Sequence, residues 1–144
     1  MLEQLVRWEP LNNLSKKYKI ESLVDDVNTI KIVFSDLYKV EKRMSFLFEE
    51  TVRVYKKTNK NAWISSIETF GQKTEKILFD EWTFFKVVNS KYILLLAEES
   101  CGFFQPEWFI HFVFAGENII VEVVAGGEPI VEFVRELENN VRVD

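Results

Sequence analysis

Residues Trp82–Ala125 constrain the fold more than any other part of this chain. They read WTFFKVVNSKYILLLAEESCGFFQPEWFIHFVFAGENIIVEVVA. The first run, Trp82–Val88, is aromatic and β-branched, a composition that suits a pleated, packed surface. Asn89-Ser90 can cap a helix. Lys91–Glu99 then reads as that helix, with a stop near Cys101-Gly102. Two more strand-like runs, Phe109–Phe114 and Asn118–Val124, are joined by Ala115-Gly116-Glu117, a hairpin signal. The order is strand, helix, hairpin. Phe109–Phe114 is apolar on both faces except at His111, which predicts a central strand covered on both sides.

The chain before this block alternates. Tyr18–Val24 reads as a short strand, ended by the turn cluster Asp25-Asp26-Val27-Asn28. Thr29–Phe34 puts Ile30, Ile32 and Phe34 on one face, and Arg43–Phe48 does the same with Met44, Phe46 and Phe48. Thr51–Tyr55 continues the pairing, with Val52 and Val54 inward. Residues 1–18 read as an irregular lead-in, pinned by Trp8, Leu11 and Leu14 and broken by Pro10. Lys56–Asn61 (KKTNKN) reads as an exposed loop. Ala62–Phe70 has Trp63, Ile67 and Phe70 at helical spacing, closed by Gly71. Residues 72–81 read as either a helical turn or an edge segment. In the Lys91–Glu99 helix, Tyr92, Leu95 and Leu96 form the expected buried stripe. Pro129–Leu137 reads as an edge strand or a short helix, and Asn139–Asp144 as a polar tail. Strands come first and helices are interleaved later, without regular β-α alternation. This favours an α+β fold, largely antiparallel, with two or three helices mainly on one face.

At 144 residues, 1–144 is expected to be a single domain that folds without a staple. Cys101 is the only cysteine and His111 the only histidine. No internal disulfide, Cys-based zinc site or His-based metal cluster can be built from them. No metal or cofactor is expected. The lone thiol and the absence of a leader pattern at Met1–Gln4 predict a cytoplasmic protein. No apolar run approaches the ~20 residues of a membrane span.

The net charge is −5 and is uneven. Residues 1–59 hold 11 Lys+Arg against 9 Asp+Glu, while residues 60–144 hold 7 against 14. An acidic second half disfavours nucleic acid, whose phosphates it repels, and suits a basic protein partner.

Two groups of residues are candidates for contacting a partner. The acids Glu98, Glu99 and Glu107 flank a loop carrying Phe103 and Phe104, an aromatic tip among charges. The bland reading folds those rings into the core. The second group assumes that the Trp82, Phe109 and Asn118 runs are neighbours. One register then gathers Lys86, His111 and Glu122 on one sheet face, among Trp82, Phe84, Phe109 and Ile120. Aromatics with scattered charges suit an interface. The bland reading is a half-covered face whose charges reach solvent along their stems. Cys101 and His111 are not expected to be catalytic, because no Asn or Asp is placed to orient the imidazole. No phosphate loop, zinc knuckle or Ser-His-Asp motif appears.

Taken together, RWEP (Arg7–Pro10), TIKIVF, RMSFLF, WTFFKVVNS (Trp82–Ser90) and WFIHFVF (Trp108–Phe114) resemble the immunity proteins of bacterial polymorphic toxin systems. Those are small acidic cytoplasmic proteins encoded beside secreted toxins. The resemblance implies a non-enzymatic protein that binds one cognate toxin, in many cases a basic nuclease, and blocks its active site. It transfers no individual functional residue. The alternative is a small-ligand-binding or enzymatic α+β domain with a pocket between sheet and helices. Converging polar groups in a closed pocket would mark that alternative. An exposed aromatic and acidic patch would mark a binder.

Overall fold

A computed structural model describes residues 3–39, 42–49, 51–66 and 79–134. The fold is α+β and mostly sheet. Its strands are β1 (Gln4–Arg7), β2 (Tyr18–Asp25), β3 (Thr29–Asp36), β4 (Arg43–Glu49), β5 (Val52–Asn59), β6 (Phe84–Val88), β7 (Ile110–Ala115), β8 (Ile119–Ala125) and β9 (Ile130–Val134). Helix α1 spans Lys60–Ser66, α2 spans Lys91–Glu99, and a 3-10 turn covers Pro106–Trp108.

The strands form two antiparallel sheets, in the orders β1-β6-β7-β8-β5 and β2-β3-β4-β9. The two sheets pack face to face through aromatic rings. Phe46 of β4 stacks on Phe84 of β6 at 5.1 Å and meets Phe114 of β7 edge-on at 5.3 Å. Phe34 of β3 contacts the same two rings at 5.2 and 5.4 Å. All four rings are fully buried. Aromatic pairs of this kind add about 0.5–1.5 kcal/mol beyond the area they bury.

The other face of the five-stranded sheet is covered by helices and by the chain entering β6. Trp63 of α1 lies 5.1 Å from Phe79, which lies 5.2 Å from Phe85. Ile93 of α2 packs with Val124 and Phe104 in a smaller cluster. The five-stranded sheet is therefore the middle layer, and β7 is covered on both faces, as its two-sided apolar pattern predicts.

Several sequence expectations are corrected. Lys56–Asn59 is not a loop: it is the second half of β5, paired with β8 up to Asn59↔Ile119, and α1 starts at Lys60. These polar residues mark a sheet edge, where lysines discourage pairing with another chain. Nor does β5 extend the β2-β3-β4 meander; it crosses to the other sheet. The lead-in contains β1, which pairs with β6 from Gln4↔Val88 to Arg7↔Phe85. Pro129–Leu137 resolves in favour of the edge strand over Ile130–Val134, paired with β4. In α2, Ile93 takes the buried position, Tyr92 and Leu96 are half-buried, and Leu95 is exposed. Ile67, Phe70, Gly71, residues 72–78 and the tail Asn139–Asp144 lie outside the described residues.

The start of β2 fastens the two sheets together. Lys17 is buried, and its ammonium donates to the carbonyls of Phe79, Trp82 (3.2 Å) and Ala115 (2.6 Å). The next backbone N–H, of Tyr18, donates to Thr83 Oγ1 at 2.9 Å. Burial, helped by nearby Lys60, draws the Lys17 pKa down to about 7, against the opposing pull of Asp80 and Glu117. Three carbonyl acceptors match the three donors of an ammonium, so this lysine serves as a tie between β2, β7 and the chain entering β6.

Candidate functional site

Two places gather chemistry-bearing side chains: a buried polar relay beneath the helices, and the exposed segment from α2 to the 3-10 turn.

The relay begins at Ser90, the N-cap of α2. Its Oγ accepts the Ile93 N–H at 3.1 Å and lies 2.8 Å from His111 Nδ1. His111 Nε2 is 2.8 Å from Glu122 Oε1, and Trp63 Nε1 donates to Glu122 Oε2 at 2.9 Å. Lys56 Nζ stands 3.6 Å from that same oxygen and 4.1 Å from the Tyr92 ring centroid. The register explains the convergence. His111 is opposite Val124 and Val87, and Glu122 is opposite Val113 and Lys56, all on the helix-covered face.

Ser90, His111 and Glu122 are each 4–5% exposed. Burial alone pushes the Glu122 carboxyl up. The hydrogen bond and charge of His111, with Lys56 and Trp63, outweigh it and hold the group below its ordinary value of 4.5. Glu122 is then an acceptor at both oxygens, so His111 Nε2 carries the hydrogen between them. Ser90, His111 and Glu122 follow the order of a hydroxyl–imidazole–carboxylate nucleophile relay. Here every link is also consumed by the fold: the hydroxyl caps α2, the imidazole joins α2 to the sheet, and the carboxylate holds α1 through Trp63.

Lys86 is not part of this cluster. It is opposite Phe112 on the face that meets the other sheet, where its ammonium pairs with Glu128 and sits 4.9 Å from the Trp8 ring centroid. The register that was expected to gather Lys86 with His111 and Glu122 is off by one residue, which moves Lys86 to the opposite face. Phe84 is part of the inter-sheet core, and buried Trp82 donates from Nε1 to the Trp8 carbonyl at 2.9 Å while Arg7 lies 3.9 Å over its ring.

The exposed segment separates its two phenylalanines. Phe104 is buried and stacks on Phe109 at 3.9 Å, the planes 5° apart. Phe103 is 87% exposed. Glu98, Glu99 and Glu107 are all exposed. Leu94 and Leu95, one turn before Glu98 and Glu99 on α2, are 55% and 48% exposed, and Trp108 is 59% exposed. Between α2 and the 3-10 turn lies an open groove of about 560 Å³, lined by Val87, Ser90, Ile93, Leu94, Pro106, Glu107 and Phe109 among others. Sequence reading named the acids and the phenylalanines but missed Leu94, Leu95 and Trp108. A helical wheel centred on Ile93 would have turned the two leucines outward.

Cys101 is exposed at the end of α2, whereas His111 is buried in the relay. Among the described residues no group of three or more His, Cys, Asp or Glu could hold a metal ion, and no helix is long and apolar enough to cross a membrane. Comparison with protein-family models, with characterised proteins and with solved structures finds no match to this chain.

Proposed function

We propose that this chain is a non-enzymatic protein-binding module that neutralises a basic protein, in the manner of an immunity protein, through the segment from α2 to the 3-10 turn. The observation that carries the reading is the exposure of Leu94, Leu95, Phe103 and Trp108 beside Glu98, Glu99 and Glu107. Single exposed apolar residues are ordinary, but four large ones within fifteen residues of chain support reading this segment as an interaction surface. Acids around them steer a basic partner and raise its association rate, while the apolar groups hold it. The alternative, a ligand-binding or enzymatic domain, draws on the groove beside Ser90. The burial of the relay weighs against that alternative, because substrate must reach the hydroxyl.

The test is growth of cells producing the protein encoded beside this chain. Growth should stop without the chain and recover with it. The triple change Glu98→Lys, Glu99→Lys, Glu107→Lys should slow association at least about tenfold at low salt, and the difference should shrink as salt screens the charges. Growth arrest that the chain leaves unchanged would contradict the reading. So would association that ignores both salt and charge reversal.

A further inference from the structure

We infer that Phe103 is the insertion anchor of this surface, and that the partner receives it in an apolar pocket rimmed by lysine or arginine. The inference rests on the protein-binding reading above and adds to it the partner's chemistry and the residue that reads it. Phe103 projects from a loop tied down on both sides. After α2, Cys101 and Gly102 both take left-handed backbone, with φ of 55° and 93°, and turn the chain back. Ser100 Oγ donates to the Ala97 carbonyl at 2.7 Å and accepts the Phe104 N–H at 2.9 Å. Gln105 Nε2 donates to the Gly102 carbonyl at 3.0 Å. The next ring, Phe104, is locked against Phe109. A side chain held on a fixed base loses little freedom on binding, so more of its burial is available as affinity.

The exposed ring dictates half of the partner's chemistry and its surroundings the other half. A phenyl group has no hydrogen-bonding atom, so only an apolar pocket gains by enclosing it. In the chain, Glu98 and Glu99 end the helix before the ring and Glu107 lies on the turn after it, all three exposed. Uncompensated carboxylates at an interface rim oppose binding, and lysine or arginine around the pocket removes that cost.

Photo-crosslinking tests this in cells that produce the full chain together with the protein encoded beside it. One variant carries Phe103→p-benzoylphenylalanine. A control carries the same change at Val27, which is 93% exposed at the β2–β3 turn of the other sheet. Position 103 should give one discrete adduct and position 27 none, and the crosslinked peptide should be apolar with Lys or Arg close by. With that partner purified, Phe103→Ala should melt like the parent yet dissociate at least about tenfold faster, the scale of a modest anchor. An adduct from position 27 alone, or Phe103→Ala dissociating within twofold of the parent, would overturn the anchor while leaving the binding reading intact. An acidic or polar peptide, a lipid or a second copy of this chain at position 103 would overturn the partner's chemistry. No adduct from either position, with no rescue of growth, would remove both readings.

Discussion

Replacing Phe46 with alanine should lower the free energy of unfolding by about 3–5 kcal/mol, the usual cost of deleting a buried phenylalanine. Phe46 is fully buried and contacts Trp8, Phe34, Phe84 and Phe114. It belongs to the four-stranded sheet, while Phe84 and Phe114 belong to the five-stranded one. The cavity would therefore open between the sheets and not within either. Neither sheet can readily move to fill it, because Lys17 and Tyr18 hold their separation. A domain this size has about 5–15 kcal/mol in total, so the variant should sit close to its threshold. Phe46→Leu, which leaves a smaller void, should cost much less. Urea melts of both measure this. A loss below about 1 kcal/mol for the alanine variant would mean that the sheets do not share this core.

Removing the Glu122 carboxylate should be comparably severe. In Glu122→Ala, Trp63 Nε1 and His111 Nε2 both lose their acceptor at a site only 4% exposed. Each hydrogen bond lost at a buried site costs about 1–3 kcal/mol, and this change removes two. Glu122→Gln should cost less, roughly 1–3 kcal/mol, because its amide still offers one acceptor.

Acid should expose the same contribution. A carboxyl held below its ordinary 4.5 stabilises the fold fully above that value. This stability is lost as pH falls through the lower folded value. Denaturant midpoints measured from pH 7 downward should therefore fall below about pH 4.5 in the parent. Glu122→Gln should show a shallower fall. Identical slopes would mean that the relay does not hold the carboxylate in the folded state.

The legible parts of the fold were those where one face is buried and the other is not. Ile30, Ile32 and Phe34, like Met44, Phe46 and Phe48, announced their shared faces by alternation, and all six are buried. Helix α2 could be bounded to the residue, because Ser90 is a good cap and Cys101-Gly102 a good stop. What stayed hidden depends on pairing. That the strands divide into two sheets is decided where β2, β5 and β9 cross over, and no local signal marks a crossover. The second half of β5 looked like a loop because it is a lysine-rich edge. The relay was half visible: His111 and Glu122 were placed on one face, but a one-residue slip brought Lys86 with them. Ser90 was read as a cap and not as their third member, since its bond to His111 spans 21 positions. The exposed segment was visible as composition, but which phenylalanine faces water was not. Gly102 and the Phe104–Phe109 stack settle that through geometry.

Central to the proposed function is a division of labour: the relay holds the helices, and the α2-to-turn surface is proposed to bind the partner. The most direct test compares Ser90→Ala with Phe103→Ala, reading melting temperature and protection of growth side by side. Ser90→Ala should lose about 1 kcal/mol of stability, the usual price of an N-cap, and still protect as the parent does at temperatures where it is folded. Phe103→Ala should melt like the parent and protect poorly. If Ser90→Ala stays folded but no longer protects, while Phe103→Ala protects fully, the buried relay is the working site and this account is wrong.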